Sequence, residues 1–106
     1  MSSKHKPKVD PQLIEQLDVA GASAGIVQAV FQLNLSQDTL LKPEAVESAV
    51  RTVLGRVKNE VGEDVEDVNV FRHLGTFVVS AHAPFIRALI KEREIASATA
   101  NIQKRQ

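Results

Sequence analysis

Phe71-Arg72-His73-Leu74-Gly75-Thr76-Phe77-Val78-Val79-Ser80-Ala81 is the stretch that decides the fold. Upstream, Val68 and Val70 alternate with Asn69 and Phe71; downstream, Phe77, Val79 and Ala81 alternate with Thr76, Val78 and Ser80. A period of two marks a strand with one buried face. Between the runs stands His73-Leu74-Gly75, where glycine supplies the left-handed backbone that a tight turn needs. The stretch predicts an antiparallel hairpin with strands over 65–72 and 76–81.

Working outward toward the N-terminus, Pro43 opens a long helix with Glu44 and Glu47 near its positive end. Val46, Ala49, Val50, Val53, Leu54, Val57 and Val61 keep the three-four spacing of one helical face, and Gly62 is a natural stop. Ser36 to Leu41 reads as a loop. Ahead of it, Ile26 to Leu35 alternates: Val27, Ala29, Phe31, Leu33 and Leu35 point one way, and Gln28, Gln32 and Asn34 the other, with Ile26 and Val30. Toward the C-terminus, Pro84 opens a second helix with Phe85, Ile86, Leu89 and Ile90 as its apolar face, and Ile95 to Ala100 forms a strand of small residues. The order β-α-β-β-α-β predicts a ferredoxin-like α+β domain over 25–101: a four-stranded antiparallel sheet with two helices on one face.

The ends carry less signal. Met1 to Val9 holds Lys4, Lys6 and Lys8 without an apolar period and reads as a tail. Asp10 and Pro11 suit the cap and first position of one or two helical turns ending near Leu17. Ala20 to Gly25 is small and reads as a linker. Residues 1–24 are thus expected as a flexible tail with a short helix, and Ile102 to Gln106 as a second tail.

Composition bounds the function. The 106 residues suffice for one domain. Thirteen basic and thirteen acidic residues cancel, so nothing biases the chain overall toward nucleic acid or anionic membrane. The absence of cysteine excludes disulfides and thiolate metal sites. No apolar stretch approaches the ~20 residues of a membrane span. The start lacks the apolar core of a signal peptide, which implies a cytoplasmic protein if Met1 is native.

No catalytic constellation is visible, and no catalytic residue, cofactor or metal is expected. Phosphate-cradling glycine loops and serine-nucleophile signatures are missing. His5 lies in the tail, His73 in the turn and His82 just before a helix; a His73–His82 pair lacks a third ligand. The acids Glu60, Glu63, Asp64, Glu66 and Asp67 lack the spacing of a calcium loop and read as a solvated helix end and strand start. What remains is the helix-free sheet face, carrying Ile26, Gln28, Val30, Gln32, Asn69, Phe71, Thr76, Val78, Ser80 and Thr99. It is more apolar than a wet sheet face usually is, and reads either as a partly apolar surface without function or as a protein-docking surface.

From about Ile26 to Asn101, the chain resembles the propeptides of subtilisin-like serine proteases and the free-standing inhibitors of that family. The features that carry the resemblance are the valine-containing first strand, the long amphipathic helix, the hairpin step Gly75-Thr76-Phe77, the Pro84-led helix and the last strand Ile95-Ala96-Ser97-Ala98-Thr99-Ala100-Asn101. In the family, Gly and Phe of the hairpin are often adjacent; here Thr76 separates them. The resemblance implies a monomeric partner of a subtilisin-like protease, acting in trans as inhibitor or folding helper. Its sheet face, with Val30, Phe71, Val78 and Ser80, would dock on the protease. Thr99, Ala100, Asn101, Ile102, Gln103, Lys104, Arg105 and Gln106 would enter the substrate cleft like a product strand. Family members carry acids near the end of the last strand to cap protease helices; Thr99, Ala100 and Asn101 stand there instead, and Thr and Asn cap only as neutral acceptors.

Two other readings compete. An RNA-recognition domain shares the topology but needs aromatics on the exposed face, where Thr76, Val78 and Ser80 stand in the third strand. A regulatory or dimerisation module of the same fold would pair sheets or use the small-residue last strand as an edge.

Overall fold

The computed structural model describes residues 8–23 and 25–101. The chain runs β1 (Lys8–Val9), α1 (Pro11–Ser23), β2 (Ile26–Leu33), α2 (Gln37–Leu40), α3 (Pro43–Val61), β3 (Asp67–Phe71), β4 (Thr76–His82), α4 (Ala83–Ile90) and β5 (Ile95–Ala100). The strands form one sheet in the order β1-β5-β2-β4-β3. β2 pairs antiparallel with both β4 and β5, β3 pairs antiparallel with β4, and β1 adds to β5 in parallel.

The fold is therefore α+β, with a five-stranded mixed sheet and four helices. The expected four-stranded antiparallel sheet with two helices is too small a description. The four longer strands are antiparallel throughout; the parallel strand and the extra helices come from segments read as tail and loop.

The hairpin forms where its alternation placed it. Four residues, Arg72 to Gly75, join the strands; Leu74 N–H donates to Phe71 O at 2.9 Å, and Gly75 takes the left-handed conformation at φ 64°. Gly62 does the same at φ 83°, ending α3 with its N–H on Lys58 O. β3 is shorter than the alternation suggests, starting at Asp67 rather than Val65. β2 stops at Leu33 rather than Leu35, beside a register shift against β5, and Asn34 N–H turns to Glu94 O. The segment 36–41, expected as a loop, contains the single turn α2, capped by the Ser36 hydroxyl, which accepts from Thr39 N–H at 3.2 Å.

The largest correction concerns residues 8–23. Helix α1 runs through Ser23, well past Leu17 and into the small-residue stretch expected as linker. Leu13 and Leu17, one turn apart on one stripe, are 0% and 1% exposed. They join the same cluster as the sheet and the other helices, so this segment is part of the core and not a flexible tail. Asp10 makes the junction. Its N–H donates to Ala98 O, its carbonyl accepts from Leu13 and Ile14 N–H, and its carboxylate caps Gln12 N–H at 3.1 Å. The expected tail over residues 1–7 lies outside the described residues.

All the buried side chains lie on one side of the sheet. Val27, Ala29, Phe31 and Leu33 of β2 and Phe77, Val79 and Ala81 of β4 face Val46, Val50, Val53 and Val57 of α3 and Phe85, Ile86 and Leu89 of α4. Phe31 and Phe77 are directly paired across β2 and β4, with ring centroids 5.3 Å apart. Such a pair contributes ~0.5–1.5 kcal/mol beyond its burial. Arg56 of α3 clamps the loop before β5, reaching Glu92 and both carboxylate oxygens of Glu94. Among the described residues, no helix is long and apolar enough to cross a membrane.

Candidate functional site, the helix-free sheet face

Alternation that sends Phe31 and Phe77 inward sends their neighbours outward, onto a face that no helix among the described residues covers. The registers lay these residues in rows. Thr99, Val30, Val78 and Asn69 form one row, and Ser97, Gln32, Thr76 and Phe71 a second. Gln28, Ser80 and Asp67 form a third, to which Asn101 adds by donating its N–H to Gln28 O at 3.1 Å.

The third row is fixed by its own hydrogen bonds. Asn101 Nδ2 donates to Gln28 Oε1 at 2.6 Å, and Gln28 Nε2 donates to the Ser80 hydroxyl at 3.0 Å. Asp67, at the end of the row, accepts Val68 N–H at 3.0 Å and is exposed. This chain of polar groups is preorganised, so a partner meeting it finds donors and acceptors already oriented. The other rows hold the apolar groups. Val30 and Val78 are half-buried neighbours at the centre, and Phe71 is 41% exposed on the edge strand. Leu74, 72% exposed at the hairpin tip, continues the strip. Together these residues line a shallow depression of about 500 Å³.

The expected site residues are thus brought together in part. Val30, Val78, Phe71 and Ser80 share the face, with Thr99 exposed beside Val30. Ala100 does not belong with them: it pairs with Ala29 and packs against the core on the other side. Asn101 is half-buried and hydrogen-bonded to β2. Ile102, Gln103, Lys104, Arg105 and Gln106 lie outside the described residues. The sequence reading missed Leu74 and Asp67. A large apolar residue inside a turn was the available signal for Leu74; Asp67 follows from the alternation of Asn69 and Phe71 only once the strand start is known.

The charged groups with perturbed titration lie away from the apolar strip. Hydrogen bonds from Arg56 hold the Glu94 carboxyl below its usual range, and the same contacts push the Arg56 guanidinium up. The Val65 N–H, helped by Lys58, holds Asp64 below its usual range. His82 Nδ1 lies 3.6 Å from Glu63 at one end of β4, while His73 sits in the turn before the other end. Among the described residues, no three His, Cys, Asp or Glu side chains are grouped so as to hold a metal ion. The Ser80 hydroxyl has an amide for its partner. The face carries a central apolar strip bordered by hydrogen-bonded polar groups. The chain matches no protein family, no curated protein and no solved structure.

Proposed function

We propose that this chain binds a subtilisin-like serine protease in trans, docking the helix-free sheet face on the protease and laying residues 102–106 in its substrate cleft. On this reading β2-α3-β3-β4-α4-β5 is a ferredoxin-like unit, and β1 with α1 is an N-terminal addition to it. The observation that carries the proposal is the depression over Val30, Val78 and Phe71, with Asn101 on its rim. On this reading the docking face would adjoin the start of the cleft-directed segment. The apolar strip would be desolvated on docking, the polar row would orient the partner, and the following segment would pair its backbone with the cleft edges. The protein would act as an inhibitor or folding helper, as a monomer when free.

The test is inhibition of a panel of subtilisin-like proteases. Val78→Asp places an unpartnered charge in the docked strip and should abolish inhibition while circular dichroism stays native-like. Deleting residues 102–106 should raise the inhibition constant at least about tenfold, or ~1.4 kcal/mol. Replacing Gln106 with Leu should tighten inhibition of a protease that favours apolar residues next to the cleaved bond. Equal inhibition by the full and shortened chains would rule out the product-like mode. No inhibition at all, together with self-association in light scattering, would instead favour the dimerisation module.

A further inference from the structure

β3 ends the sheet. Among the described residues no strand pairs with its outer side, and it packs mainly on β4. In an antiparallel ladder, residues whose backbone groups turn to the neighbour alternate with residues whose groups turn away. Val68 N–H donates to the Asp67 carboxylate at 3.0 Å, which places Val68 in the outward set, and Val70, two residues on, belongs with it. Glu66, just before the strand, breaks the alternation by donating its N–H to Ser80 O at 2.7 Å. The side chains of Val68 and Val70 lie on the helix side, since they pair with the buried Val79 and Phe77, and Val68 is exposed at the margin of the core. The stretch reads Glu66-Asp67-Val68-Asn69-Val70-Phe71-Arg72. It is nearly symmetric about Asn69: acid at one end, cation at the other, valine on each side of the centre. Glu66 and Asp67 are exposed and have no salt bridge among the described residues. Arg72 is exposed and uses one guanidinium nitrogen on Glu47 at 3.3 Å, leaving its other donors over.

We infer that β3 pairs antiparallel with β3 of a second copy of this chain, about a two-fold axis at Asn69, joining the two sheets into one. In this register Val68 lies opposite Val70 of the second copy, and Val70 opposite its Val68. The outward-turned residues of both strands thus meet each other and exchange N–H···O bonds. The Asp67 carboxylate holds the place on Val68 N–H that the carbonyl of the second copy's Val70 takes on pairing. Glu66 falls opposite Arg72 of the second copy, and the symmetry forms that contact twice. The valines of the two copies close over each other on the helix side, and Asn69 meets Asn69 on the outer side, where each amide can donate and accept. A hollow of about 400 Å³, lined by Val70 to Leu74, lies at the end where the start of the second strand would run. Charge selects this arrangement, because a parallel copy in register would set Glu66 on Glu66 and Arg72 on Arg72. One five-residue strand per copy makes a small interface, in the transient class below ~1,200 Å². The chain is therefore single at micromolar concentration and pairs toward millimolar. Both outer faces stay open on one side of the joined sheet, with all the helices on the other, so the inference goes beyond the docking role proposed above and leaves it untouched.

The test uses the whole chain alone. Amide resonances of Val68, Val70 and Arg72 are followed in low-salt buffer as its concentration rises from micromolar to millimolar. They should move together along one saturating curve while those of Ala29 and Ala98, inside the sheet, stay still. In a mixture of labelled and unlabelled chains, methyl contacts between Val68 of one copy and Val70 of the other should appear. Arg72→Glu should raise the dissociation constant at least about threefold, because two attractions become two repulsions, and Glu66→Arg should do the same. The double variant Glu66→Arg with Arg72→Glu should restore the original value, which a loss of the Arg72–Glu47 contact alone would not allow. Resonances that do not move up to millimolar concentration would overturn the inference. So would concentration-dependent shifts centred on Val30 and Val78, which would place the contact between copies on the outer face, or a double variant no better than the single ones.

Discussion

The two faces of the sheet are built from the same strands, one residue out of step, and they divide the work of the molecule. On the inner face, Phe31 and Phe77 are fully buried and stacked against each other. One step along each strand, Val30 and Val78 are also direct cross-strand neighbours, yet both keep contact with water. The inner pair belongs to one buried cluster with residues of α1, α3 and α4. The outer pair is flanked on its face by Gln28 and Ser80 on one side and Gln32 and Thr76 on the other. Burial on the inner face is consumed in folding. The apolar surface of the outer face keeps its contact with water, because folding has not used it. A face can thus be apolar enough to bind and still be irrelevant to whether the chain folds.

That contrast can be broken by substitution, most strongly on the inner side. Phe31→Ala or Phe77→Ala should cost ~3–5 kcal/mol, a large share of the ~5–15 kcal/mol of a domain this size. Urea unfolding would show it as a fall in midpoint, and the double variant should show coupling between the two rings. Next in size, Leu17→Ala should cost ~2–5 kcal/mol, since this residue is 1% exposed in the shared cluster. A change below ~0.5 kcal/mol in chemical denaturation would return α1 to the status of an appendage. On the outer face, Val78→Asp should change stability by no more than about 1 kcal/mol, within the span of strand propensities. Unfolding of that variant would erase the distinction between the faces.

The smallest effect concerns the clamp at the margin of the core. Glu94 titrates below its usual range because Arg56 holds it. Its depressed folded value means that its contribution is present above the ordinary carboxylate range and is lost as pH falls through the folded value. Arg56→Gln should therefore lower stability near neutrality, and the gap from wild type should close on acidification. Thermal melts from pH 7 down to pH 3 would read this. A gap constant across that range would show that the ion pair is not its source.

How much of this was legible follows from where period is a usable signal. Both faces of β2 and β4 could be read from alternation alone, because each strand is long and one of its faces is wholly apolar. The hairpin was equally plain, since Gly75 sits where the turn requires it. α1 was misread because its buried stripe within the described side chains comes down to Leu13 and Leu17, while Ile14 and Val19 stay 44% and 65% exposed. Two buried residues among the nine side chains described over 11–19 make no convincing helical period, and only the tertiary contacts reveal the helix as core. β1 has two residues, and Val9 is its one apolar side chain, so it carries no pattern at all. The outer face was legible as a set of residues. Its hydrogen-bonded row was not, because Asn101 meets Gln28 only through the pairing of two strands more than sixty residues apart.

The position of β5 has a consequence for synthesis. This strand lies between β1 and β2, so the first strand of the chain can join the sheet only beside the last. Asp10 is bonded to Ala98, nearly the whole domain later. As the chain leaves the ribosome, β2, α3, β3, β4 and α4 emerge in an order that lets each meet a neighbour already made. The leading segment must wait. Until Ala100 clears the exit tunnel, β1 has no strand to pair with and α1 lacks one of the surfaces that cover Leu13 and Leu17. A chain stalled before β5 would leave β1 unpaired and α1 without the strand it packs beside.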